Sequence, residues 1–126
     1  MIRDEQGNDL TFEVEFLESI LRQPGEHADV VEMLAGIYTR VGRLDDGLAL
    51  DQKLVALQPD NATAIFNLAC SLSLKDRKAE AVEQLRIAIE KGYDDFSWMV
   101  KDPDLKGLHA FPPFQTMLSE FQIPGP

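Results

Sequence analysis

Cysteine is almost absent from this chain: Cys70 stands alone. One thiol cannot close an intramolecular disulfide or supply a paired-cysteine metal or redox site. Basic residues are scarce too, with 12 Lys and Arg against 22 Asp and Glu and a formal net charge of −10. Without a basic stripe to displace counterions from phosphates, nucleic acid is not an expected partner. No apolar run approaches the roughly 18 residues that span a bilayer. Met1-Ile2-Arg3 leads into Asp4-Glu5-Gln6-Gly7-Asn8-Asp9 rather than into an apolar stretch, which speaks against a secretory signal of the usual form. The expectation is a cytoplasmic protein with no membrane contact. Strict apolar–polar alternation is also lacking, so strands are not expected. The two histidines, His27 and His109, lie far apart and form neither a zinc-binding helix motif nor a triad.

What the chain does have is a sequence that repeats itself at a fixed offset of about 34 residues. Leu34-Ala35 returns as Leu68-Ala69, Ala28 as Ala62, Arg43 as Arg77 and Val55 as Ile89. A fixed period of this length marks units that bury their apolar faces only against a neighbour. At 126 residues and 44% hydrophobic content the chain has the size and composition of one globular domain. Its charge is uneven: residues 1–60 hold 5 bases and 13 acids, residues 61–126 hold 7 and 9.

Apolar spacing predicts helices throughout. Residues 1–10 are polar and read as a flexible N-terminus. Phe12, Phe16, Leu17, Ile20 and Leu21 mark the apolar face of a first helix, within 11–24, that ends before Pro24-Gly25. Helices follow over about 29–41 and 45–57, separated by Gly42, which accepts a positive φ without a Cβ penalty. The pattern recurs over about 62–74 and 79–91, with Gly92 at the stop. Beyond it the rhythm breaks. Asp95 and Asp102 are placed to cap short turns, and Pro103 and Pro112-Pro113 suit first helical positions. Phe96, Trp98 and Met99 fall in a short turn and Phe114, Met117, Leu118 and Phe121 on a last helix; Trp98 and the aromatics Phe111, Phe114 and Phe121 read as the core of a closing lid over 96–126.

These features resemble the tetratricopeptide repeat, whose pattern is W-x2-L-G-x2-Y, then A-x3-F, then P, over about 34 residues. Residues 28–61 offer Val31-x2-Leu34-Ala35-x2-Tyr38, Gly47-x3-Asp51 and Pro59; residues 62–95 offer Ile65-x2-Leu68-Ala69-x2-Leu72 and Ala81-x3-Leu85. The short side chains at 35, 47, 69 and 81 suit close approach of paired helices. Asp51 and Leu54 depart from the pattern, as does Tyr93, which stands where proline is usual. The resemblance implies an all-α fold: a right-handed superhelical array of antiparallel helix pairs, with a half-repeat before two repeats and a divergent cap after them.

It also implies function, as a non-catalytic scaffold that holds a peptide or a partner's helix in a concave groove. Carried over by register, the groove positions are Asp29, Glu32, Gly36, Thr39 and Arg40 in the first repeat and Thr63, Phe66, Cys70, Ser73 and Leu74 in the second. Phe66 has two readings, a binding anchor or a residue packed beneath the closing segment. The carboxylate clamp of chaperone-binding members is not expected, because Glu32 and Gly36 occupy two of its positions. Acidic groove residues imply a basic or neutral protein or peptide partner. Self-association into a homodimer through the edge of the first helix is the second reading. Cys70 reads as a packing residue and the pairs Asp45-Asp46 and Asp94-Asp95 as helix caps, so neither a cofactor nor a metal is expected.

Overall fold

A computed structural model describes residues 1–126. Seven α-helices and one 3-10 segment account for its regular structure, and no strand forms beyond an isolated Arg3–Asp9 bridge. The all-α expectation holds. No helix is long and apolar enough to cross a membrane. The chain divides into two compact units, Met1–Pro59 and Asp60–Pro126.

The first unit contains α1 (Thr11–Leu21), α2 (Ala28–Arg40) and α3 (Leu44–Leu57). Residues 41–43 turn α3 back along α2, and the two helices pack along their length. Their close approach depends on Gly47. A Cβ there would lie 2.7 Å from Thr39 Oγ1 and 3.3 Å from the Ala35 carbonyl, so any larger residue would push α3 away. Val14, Leu17, Leu34, Ile37 and Tyr38 form the core that holds α1 on this pair. Burying each such side chain stabilises by roughly 1.5–3 kcal/mol.

Two expectations are corrected in this unit. Phe12 and Phe16, read as part of the buried face of α1, are 73% and 53% exposed. α1 carries two apolar stripes, and the one through Val14, Leu17 and Leu21 is turned to the core. The opposite stripe has nothing packed over it. Residues 1–10 also form more than a polar arm. The Leu10 amide donates to the Ile2 carbonyl at 2.7 Å and the Ile2 amide to Thr11 Oγ1 at 2.8 Å. Ile2 and Leu10 pack against the core, and Gly7 turns the chain at φ +84°.

The second unit contains α4 (Ala62–Leu74), α5 (Lys78–Glu90), α6 (Phe96–Lys101), a 3-10 segment (Pro103–Leu108) and α7 (Pro112–Glu120). α5 folds back on α4, α7 packs against α5, and the 3-10 segment lies on α4. Side-chain caps sit at three helix starts of this unit, whereas Asp45 and Asp46, expected as caps, lie in the first turn of α3 behind Arg43, which makes no capping hydrogen bond. Asn61 Oδ1 accepts from the Ala64 amide at 3.0 Å, Asp95 Oδ1 from Trp98 at 3.1 Å and Asp102 Oδ1 from Asp104 at 3.0 Å. Each cap stabilises by roughly 1 kcal/mol.

The repeat extends to the helix stops. After α2 the Arg43 amide donates to the Tyr38 carbonyl at 2.8 Å; after α4 the Arg77 amide donates to Leu72 at 2.9 Å. Both are six-to-one closures around a left-handed residue, Gly42 at φ +84° and Asp76 at φ +59°. Gly92 serves α5 in the same way, with the Tyr93 amide bonded to the Ala88 carbonyl at 2.9 Å. The closing segment buries Met99, Leu105, Leu108, Phe114 and Met117 completely. Trp98, expected in that core, is instead 46% exposed.

Candidate functional site

On α2 the residues Val31, Leu34, Ala35, Ile37 and Tyr38 are buried, which leaves the opposite stripe to solvent. Asp29, Met33, Gly36 and Arg40 follow one another at spacings of four, three and four, a single line along the helix, and all are exposed. Glu32 is exposed beside them. Met33 is 56% exposed and Gly36 follows it without a side chain, so an apolar knob adjoins a shallow gap with acid at one end and Arg40 at the other. Thr39 is only half-buried, but its hydroxyl donates to the Ala35 carbonyl at 3.2 Å and faces Gly47, so it belongs to the α2–α3 contact.

The matching stripe of α4 is closed. Thr63 is exposed, but Phe66, Cys70 and Ser73 are buried, and burial leaves them no surface for a partner. Their expected placement on an open groove is corrected by the path of the chain after Gly92, which returns over α4. Phe66 stacks on Tyr93 with ring centroids 4.3 Å apart and planes within 6°. Burial raises the Tyr93 phenol well above its ordinary pKa, and the charge of Asp95 adds to the effect. Both helices have 13 residues, but nine are buried on α4 and five on α2, so α4 works as an interior helix and α2 as a surface one.

Beneath the closing segment, the ligand-capable atoms of Cys70, Asp102 and Asp104 lie within 4.8 Å of one another. They are the residues best placed to hold a metal. Asp102 is already engaged, however: Oδ1 accepts the Asp104 amide and Oδ2 accepts the Cys70 thiol at 3.5 Å. The group therefore acts as a cap that fastens the 3-10 segment to α4. Ser73 Oγ and His109 Nε2 are buried without a hydrogen-bond partner.

The open helix is held by a polar network on its other flank. Tyr38 donates its hydroxyl to Glu18 of α1, and the Arg43 guanidinium sits 4.4 Å from the Tyr38 ring centroid. Arg43 Nε donates to Asp46 at 2.8 Å, and its Nη2 lies 3.8 Å from Glu18. Burial, and the hydrogen bond to Glu18 after it, push the Tyr38 phenol up to about 12.

Sequence reasoning missed Met33, although it falls on the Asp29–Arg40 line. The closure of α4 also had a signal. From the first repeat to the second, Glu32 becomes Phe66, Gly36 becomes Cys70 and Arg40 becomes Leu74, so a charged stripe turns apolar.

The fold and this surface define an all-helical chain with one open and one closed copy of the same helix. No family model matches the chain. A chloroplastic protein of Arabidopsis thaliana is similar to it, at 25% identity over 87 residues. The match covers 67% of this chain and 26% of that protein, so the chain spans about a quarter of its relative's length.

Proposed function

We propose that this protein is a non-catalytic interaction scaffold of tetratricopeptide type that binds a basic or neutral peptide along the outer stripe of α2. One observation carries the reading: Asp29, Glu32, Met33, Gly36 and Arg40 remain exposed, whereas on α4 the counterparts of Glu32 and Gly36, Phe66 and Cys70, are buried against Tyr93 and Asp102 of the chain's own closing segment. A partner would seat an apolar side chain against Met33 and Gly36 and present Lys or Arg to Asp29 and Glu32. The thioether adapts to varied apolar shapes. The carboxylates speed encounter and set the peptide's direction.

The test is a titration with short peptides that carry one Leu between Lys residues. Binding should weaken as salt rises. Met33→Ser should reduce affinity about tenfold, the scale of a lost anchor, and Glu32→Lys should slow association. Affinity unchanged by both substitutions would reject the α2 stripe as the binding surface.

A further inference from the structure

We infer that the outer face of α1 is a second docking surface, one that takes a basic amphipathic helix of another protein. It is distinct from the α2 stripe and does not depend on it. Phe12 and Phe16 are 73% and 53% exposed, and their rings stack on each other with centroids 5.9 Å apart and planes within 7°. The pair forms a preformed aromatic plate one helical turn long. Exposing two stacked phenyl rings forfeits burial that most folds take up, so such a plate marks an interaction surface. The core cannot use it, because Val14, Leu17 and Leu21 on the opposite side already face inward.

Charge selects the occupant. Glu13 and Glu15 are exposed beside the plate, and residues 1–24 hold six acids and two bases, Arg3 and Arg22. No Lys or Arg lies within α1 itself. A second copy docked through the same face would set Glu13 and Glu15 against their own equivalents around a desolvated centre, a like-charge arrangement that disfavours pairing. A helix with apolar side chains three and four residues apart, flanked by Lys or Arg, satisfies both features. Its apolar ridge covers the rings and its cations meet the two glutamates.

The probes are two labelled amphipathic helical peptides with the same Leu positions, one with Lys at all other sites and one with Glu. The expected result is binding of the Leu/Lys peptide and at least about tenfold weaker binding of the Leu/Glu peptide. Phe12→Ser/Phe16→Ser should weaken the Leu/Lys peptide about tenfold or more. Glu13→Lys/Glu15→Lys should reverse the preference. These side chains are exposed, so the variants should keep the wild-type helical circular dichroism. All titrations use the Met33→Ser background, in which the α2 stripe lacks its apolar contact, and Leu/Lys binding that persists there after Phe12→Ser/Phe16→Ser overturns the proposal. So does a wild-type dimer by light scattering that dissociates in the same variant, since a second copy would then be the occupant.

Discussion

At the scale of single residues, the closest constraint is Gly47. Alanine elsewhere in a helix gains about 0.5–1 kcal/mol over glycine. Here its Cβ would meet Thr39 Oγ1 at 2.7 Å, and that hydroxyl is held by the Ala35 carbonyl. Gly47→Ala should therefore fail to stabilise, and Gly47→Leu should cost about 1–3 kcal/mol through overpacking. In Thr39→Ala/Gly47→Ala the shorter contact is removed and only the 3.3 Å approach to the Ala35 carbonyl remains, so denaturant melts should show the pair of changes to be less harmful than their sum. The second unit holds Ala at this repeat position, as the fully buried Ala81, with Ser73 where the first has Thr39.

The tyrosines give a pH signature at the same scale. Both phenols, Tyr38 and Tyr93, are raised above the ordinary value of 10. A raised folded-state pKa favours the neutral phenol in the fold. The associated stability is present below pH 10 and is lost as pH rises from there toward the folded value, about 12 for Tyr38. Tyrosinate absorbance of the native protein should stay low through pH 10 and rise with alkaline unfolding. In urea it should titrate near pH 10. A native titration centred on 10 would show that neither ring is held as described.

At the scale of elements, most of the helical plan is legible in the sequence. Caps, prolines and the glycines at 42 and 92 set helix ends through local hydrogen bonding and φ preference, and these need no distant partner. The turn after α4 shows the same logic with a poorer residue, Asp76 at φ +59° where the first repeat has Gly42. Asp76→Gly should raise stability by up to about 1 kcal/mol, read as a higher melting temperature.

What the sequence hid at this scale was which of two apolar stripes a helix buries. α1 could present Phe12 and Phe16 or Val14, Leu17 and Leu21, and the choice depends on long-range packing that periodicity does not encode. Trp98 misled for a similar reason, since Met99 beside it fills the core. The α4 face was legible in principle through the change of Glu32 to Phe66 across the repeat. Its cover is the segment from Tyr93 onward, beyond the whole of α5, and without its path Phe66 reads equally as an anchor. Removing residues 93–126 should bare Phe66, Cys70 and the apolar side of α5. Such a fragment is expected to melt lower and to associate, as measured by circular dichroism and light scattering.

At the scale of the whole molecule, repetition and closure divide the labour. Residues 28–61 and 62–95 match at an offset of 34 residues, yet α2 leaves a face to solvent while α4 is buried over most of its surface. The acidic surplus lies mainly with the open copy, since residues 1–60 hold 13 of the 22 acids and 5 of the 12 bases. That surplus gives the surface of α1 and α2 a negative field. This division of labour rests on the closure of α4, and the chain's single thiol reports on it. Cys70 is 7% exposed, with its Sγ bonded to Asp102 beneath the 3-10 segment. Reaction of the native protein with an aromatic disulfide reagent should be slow and should accelerate only in denaturant, at the rate of global or tail opening. Full modification within seconds under native conditions, with no loss of helical signal, would show that the α4 face is open and that the closing segment does not cover it.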